Sequence, residues 1–215
     1  MEMKLIVLAV VAVGLCMTAQ ADLIAEWDFA GNVGDEVSDN ADTLGSGISS
    51  AVIMRGAGIT ASANAGRFNA NNWTQPDFAG AFANGDYFSM TITADASSTF
   101  DVSDWAFKFE RSSTGPTEWA LYSSADAYNT AIDSYTALGN SSQADTLSGQ
   151  TGLSSVTFRF YGWGNTATAG SAGFEGSGFD LQFNGTVTTI PEPTTIALIG
   201  LGLGGMLAIR RRARK

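Results

Sequence analysis

From Leu23 onward, apolar and polar residues alternate: Leu23, Ala25, Trp27 and Phe29 fall on one side, Ile24, Glu26 and Asp28 on the other. A two-residue period with aromatic members predicts a β-strand with one buried face, ended here by Gly31-Asn32. The pattern returns at Tyr87 to Ala94, where Phe88, Met90 and Ile92 oppose Tyr87, Ser89, Thr91 and Thr93. It returns again at Trp105, Phe107 and Phe109, and at Val156, Phe158 and Phe160. Shorter extended stretches are predicted at Ile48 to Met54, Trp119 to Ser123 and Thr186 to Ile190. Ala125 to Leu138 reads either as a loop with one helical turn or as a strand near Ile132 to Ala137. Phe179, Leu181 and Phe183 run into Asn184-Gly185, a favoured hairpin turn.

Between these segments the chain is rich in Gly, Ala, Ser and Asn. Arg55 to Asn72 reads as a long irregular connection, with Trp73 and Phe78 flanking Pro76 beyond it, and Gly162 to Gly178 as a glycine-rich joint. Eight to ten short strands with no clear helical period argue an all-β domain, a β-sandwich or jelly roll. Trp105, Phe107, Phe109, Phe158 and Phe160 are its predicted core. No internal repeat argues for a propeller or solenoid.

The ends of the chain follow other rules. Lys4 precedes an uncharged run from Leu5 to Ala19, and Ala19-Gln20-Ala21 supplies a small-x-small cleavage pattern. Residues 1–21 therefore read as a secretory signal peptide, handled by the secretory translocase and signal peptidase, with a retained N-terminal anchor as the alternative. Cys16 follows bulky Leu15, where a lipoprotein signal needs a small residue, so it is expected to leave with the peptide.

The body, residues 22–189, then holds neither cysteine nor histidine. Its stability must come from a packed core, since disulfides are excluded. Catalysis by Ser-His-Asp or Cys-His and zinc sites of Cys and His are excluded as well. Five basic residues (Arg55, Arg67, Lys108, Arg111, Arg159) stand against 19 acidic ones, a net charge of −14. Such a surface repels nucleic acid and anionic lipid, so no nucleic-acid partner is expected. No cofactor is expected either.

The last 26 residues, 190–215, read IPEPTTIALIGLGLGGMLAIRRRARK. Pro191 and Pro193 around Glu192 fix φ and remove two backbone donors. Ile196 to Ile209 is uncharged, and Arg210, Arg211, Arg212, Arg214 and Lys215 close the chain. An apolar run followed by clustered arginines predicts a short transmembrane helix whose basic end stays in the cytoplasm. At 1.5 Å per residue the run reaches ~21 Å against a hydrocarbon core of about 30 Å, which suits a temporary hold.

In this order and at this place, the three parts resemble the PEP-CTERM sorting signal of bacterial surface proteins. The resemblance covers only residues 190–215. It implies recognition by an exosortase, a membrane-embedded protease-transpeptidase, with processing near Pro191-Glu192-Pro193. It also implies transient residence in the inner membrane, then the outer surface or extracellular matrix of a cell that makes exopolysaccharide or biofilm.

In the body only carboxylates remain as catalytic groups, and a glycoside hydrolase would need two of them ~5 to 9.5 Å apart. Hard oxygen ligands on the loop carrying Asp35, Glu36, Asp39, Asn40 and Asp42 suit calcium, though the spacing departs from the usual calcium loop and a solvated acidic loop is the plainer reading. Trp73, Phe78, Trp163 and Phe174 lie in predicted loops, where flat aromatic faces stack on sugar rings. Their plainer role is to cap the ends of the core. Three functions follow: a non-enzymatic surface or matrix protein, a carbohydrate-binding module for the matrix polysaccharide, and a secreted glycan hydrolase.

Overall fold

The computed structural model describes residues 21–165, 167–176 and 181–190. In chain order these form β1 (Asp22–Trp27), β2 (Ser38–Asn40), β3 (Thr43–Leu44), β4 (Ile48–Arg55), β5 (Thr60–Ala61), β6 (Arg67–Asn71), α1 (Phe78–Asn84), β7 (Tyr87–Ala94), β8 (Ser98–Arg111), β9 (Glu118–Ser123), β10 (Ala131–Thr136), β11 (Ser141–Thr146), β12 (Ser155–Trp163), β13 (Ala172–Glu175) and β14 (Leu181–Thr189). Residues 1–20 of the expected signal peptide, the Pro191-Glu192-Pro193 motif, the apolar run and the arginine cluster lie outside the described residues. Among the described residues no helix is long and apolar enough to cross a membrane.

Two antiparallel sheets face one another as a β-sandwich. One runs β10-β9-β12-β7-β4-β2. The other is built around β8, whose residues 104–106 pair with β14 on one edge and β11 on the other. At Phe109 the partners are β11 and β13, so β13 and β14 share one lane along β8, interrupted between Glu175 and Leu181. Beyond that lane β1 pairs with β14 and β6 with β13.

The alternation predicted from sequence supplies the core. Trp105, Phe107, Phe109, Phe158 and Phe160 are all fully buried. Rings from the two sheets meet face to face and edge to face: Phe158 stacks on Phe183 at 4.8 Å, and Phe109 meets Trp119 edge-on at 4.5 Å. A bulge between Leu23 and Ala25 turns Ile24 inward along with Ala25.

Several segments differ from the sequence reading. The supposed irregular stretch contains β5 and β6, with Phe68 and Ala70 buried, and the glycine-rich joint contains β13. Asn184-Gly185 is no hairpin turn. β14 runs through it with a register shift, Asn184 Nδ2 donates to Asp104 Oδ1 at 2.8 Å, and a Cβ on Gly185 would run into the Asp101 carbonyl. Both readings of Ala125 to Leu138 hold in turn, as a 3-10 turn at Ser124–Asp126 followed by β10. A helix is also present: Asp77 accepts the Gly80 N–H at 2.8 Å as its N-cap, and Gly85 (φ 86) closes α1 in the left-handed conformation.

The register gives the sandwich two poles. Ser98 lies opposite Thr189, Ile48 opposite Ala94, and the Ile190 N–H donates to Ser97 O at 2.6 Å. This is the near pole, where the tail departs. Asp22 pairs with Gly185 and Trp27 with Leu181, so β1 begins at its end nearer the same pole. At the far pole lie Arg111, Glu118, Trp163, Tyr87 and α1.

Candidate functional site

The strand period that sends Phe158 and Phe160 inward turns Arg159, Tyr161 and Trp163 to the outer face of β12. Tyr161 is flanked by Tyr87 on β7 and Ala120 on β9, while Arg159 lies opposite Tyr122. Ala120 is small, and α1 settles over it through Ala81, both buried. The helix then lays its rings on the sheet. Phe78 stacks on Tyr122 (4.7 Å, 10° between planes) and meets Trp163 edge-on at 5.5 Å. Phe82, one helical turn later, stacks on Tyr161 at 5.6 Å and stays 45% exposed.

Arg159 stands beside this platform. Its guanidinium carbon lies 4.6 Å from the Tyr87 ring centre and 4.1 Å from that of Tyr128, and Nη1 donates to the Tyr161 hydroxyl at 3.4 Å. Its Nε is buried without a hydrogen-bond partner. Tyr128 is brought there by consecutive non-glycine residues at positive φ, Ala127 (58°) and Tyr128 (60°). Left-handed conformations cost roughly 1–2 kcal/mol per residue in such cases. The turn is secured by Ser123, whose Oγ accepts the Ala125 N–H while its carbonyl accepts the Tyr128 N–H.

The other cations are engaged elsewhere. Arg67 pairs with Glu110 and Glu175, and Lys108 with Glu175 at 3.4 Å. Arg111 donates to the carbonyls of Ser112 and Gly115. Arg55 lies 3.8 Å from the centre of the Phe68 ring and donates to the carbonyls of Asn69, Glu36 and Gly34, and burial pulls it down to about 10.

Of the four aromatics singled out in the sequence, the fold brings Phe78 and Trp163 together on this surface and withdraws the other two. Trp73 is fully buried between Phe88 and Trp119, with its indole N–H donating to Ala70 O at 3.1 Å, and Phe174 is fully buried on β13. Trp73 is therefore a core residue and offers no face to a sugar. Phe82, Tyr87, Tyr128 and Arg159 were missed. Phe78 and Phe82 four apart between a capping Asp77 and Gly85 were a readable signal, as was the outward parity of Arg159; nothing in the sequence marked Tyr128.

The calcium loop does not gather into a cage, and its carboxylates hold N–H groups. Glu36 accepts from Gly34 and Val33, Asp39 from Asn32 at 2.6 Å, and Asp42 from Asp28 at 2.8 Å, while Asp35 stays exposed. Burial, countered by Asn32, raises the Asp39 carboxyl above its ordinary value. Among the described residues no cluster of three or more metal-ligating side chains forms. A carboxylate pair does form at the open edge of the sandwich. The Tyr135 hydroxyl on β10 contacts both Asp133 and, at 2.7 Å, Asp145 on β11, and the Trp105 indole donates to Asp133 at 3.0 Å. The phenol occupies the space between the two acids.

Comparison with curated proteins gives no match. Among solved structures, two mutants of a family 29 carbohydrate-binding module, CBM29-2, align over 78% of this chain and 92% of theirs. Identity is 12% and the TM-scores are 0.36 and 0.37, a likeness that does not bear on ligand or activity. Residues 189–212 match the model of the PEP-CTERM protein-sorting motif.

Proposed function

We propose that the chain is an exported, non-enzymatic surface or extracellular-matrix protein, sorted through its C-terminal motif. The match of residues 189–212 to the PEP-CTERM protein-sorting motif carries this reading. The translocase and signal peptidase remove residues 1–21 after Ala19-Gln20-Ala21. The apolar run then holds the body in the inner membrane, with Arg210, Arg211, Arg212, Arg214 and Lys215 on the cytoplasmic side. An exosortase processes the tail at or near Pro191-Glu192-Pro193 and so releases the body toward the surface and its exopolysaccharide. Ile190, which immediately precedes the motif, lies at one pole of the sandwich, and this position supports access of a protease to the motif.

The test is intact-mass and C-terminal peptide analysis of the surface form from cells with and without exosortase. The expected mature protein lacks Arg210 to Lys215 only where exosortase is active. A surface form that keeps those residues in an exosortase-active cell overturns the reading.

A second reading, glycan binding by the body, is favoured by one observation: Phe78 and Trp163 meet on the outer face of β12, partly exposed. A hydrolase is the weaker reading, because the Asp133–Asp145 pair is already bridged by the Tyr135 phenol.

A further inference from the structure

We propose that the far-pole platform binds a neutral pyranose glycan. One sugar ring stacks on Phe82, and one sugar oxygen accepts a hydrogen bond from the guanidinium of Arg159. This rests on the second reading above and assigns it a site.

Three independent observations converge there. Phe82 is, among the described residues, the most exposed aromatic side chain, and it is held in place by stacking on Tyr161. Anchoring an exposed ring in a fixed plane gains little for folding, yet prepares a face for the C–H side of a pyranose. Arg159 is the second. Among the described residues it has no carboxylate within ion-pair distance, in a body with 19 acidic residues, and its Nη1 donates to the Tyr161 hydroxyl only at 3.4 Å. Two tyrosine rings fix the guanidinium by cation–π contact, so a donor is positioned at low entropic cost. The third is the backbone at Ala127 and Tyr128, where two left-handed residues run in succession to place one of those rings. Strain of this kind persists where the surroundings enforce it and gathers at binding sites.

The chemistry of the surface selects the occupant. A protein partner would call for a wide contiguous apolar patch, whereas here one ring is exposed and the Tyr161 ring beneath it carries a hydroxyl to which Arg159 donates. A net charge of −14 opposes polyanions, so nucleic acid, anionic lipid and uronate polymers are disfavoured and a neutral glycan is not. Rings flanked by hydroxyls and a fixed donor match a pyranose, which offers an apolar face and a rim of hydroxyls.

The test uses the full chain in detergent, titrated with hydroxyethylcellulose and galactomannan as neutral probes, and with polygalacturonate and duplex DNA as charged ones. Affinity electrophoresis and tryptophan emission report binding. Wild type is expected to bind at least one neutral probe, with neither polyanion bound more tightly. Phe82→Ala and Arg159→Gln are each expected to weaken binding about tenfold or more, a loss of about 1.4 kcal/mol. Met54→Ala, exposed on β4, is expected to leave binding unchanged, and Phe82→Ala tests the platform even if Arg159→Gln fails to fold. If no neutral probe binds, both the second reading and this site are wrong. If a neutral probe binds equally well to wild type, Phe82→Ala and a folded Arg159→Gln, glycan binding stands and this site is wrong. Tighter binding of polygalacturonate than of the neutral probes overturns the neutral specificity.

Discussion

Gly185 shows how one residue carries a different meaning in a sequence and in a fold. Beside Asn184 it signals a turn, because Asn-Gly is the pair that two-residue hairpins prefer. In the structure it sits mid-strand at a register shift, where the backbone of β8 comes so close that a Cβ would strike the Asp101 carbonyl. Glycine inside a strand serves close approach as readily as reversal, and local sequence does not separate the two. Gly185→Ala is accordingly expected to cost about 1–3 kcal/mol through overpacking. Gly139 is the control: nothing lies within 4 Å of its would-be Cβ and its φ is not positive, so Gly139→Ala is expected to be neutral or slightly stabilising. Urea denaturation of the two variants decides; equal stability of both would contradict the bulge.

The elements that were legible are those with one apolar face. β7, β12 and the second half of β8 alternate large rings with polar residues, so burial parity could be read directly. β11, with the sequence SSQADT, could not: its half-buried positions are Ser141, Gln143 and Asp145, and it is placed by pairing with β8 rather than by apolar burial. β6 was hidden because its five residues alternate only Phe68 and Ala70 against asparagine and arginine. The site was half legible for the same reason, since outward aromatics on strands can be read while the turn that lifts Tyr128 cannot.

Tyr135 is what closes the open edge between β10 and β11, joining Asp133 of one sheet to Asp145 of the other. Burial first, and then the two carboxylates, raise its phenol above the ordinary value of 10.0. The folded state therefore keeps the proton after an unfolded chain would lose it. The contribution is complete below about pH 10 and is lost as pH climbs beyond that. Tyr135→Phe is expected to cost about 1–2 kcal/mol at neutral pH, by removing the hydrogen bonds that its hydroxyl makes to half-buried Asp133 and Asp145, and to soften the alkaline loss of stability. Urea midpoints from pH 7 to 11 give the comparison. Parallel curves for variant and wild type would show that the phenol does not secure the edge.

At the scale of the whole molecule, the two poles separate attachment from display. The last described residue, Ile190, lies beside Ser97, while α1 and Phe82 lie toward the other end of the strands and Arg159 lies midway along β12. In the platform's own sheet, β7 runs from Ala94 at the near pole to Tyr87 beside the platform, a span of ~23 Å at about 3.3 Å per residue. Between Ile190 and the apolar run from Ile196 lie five residues, which span at most ~18 Å even when fully extended. A body tethered by that tail holds its near pole close to the bilayer. Its net charge of −14 also works against lying flat on anionic lipid. The tethered form is therefore expected to turn the aromatic platform outward before any processing occurs. Removal of Cys16 with the signal peptide would leave a body without thiols, so single cysteines can report this directly. In cells lacking exosortase, a fluorophore on Ser97→Cys is expected to be quenched by spin-labelled lipid headgroups more strongly than one on Ala83→Cys, an exposed position of α1. Equal quenching at both positions, or stronger quenching on α1, would mean that the sandwich lies against the membrane and that display follows only after release.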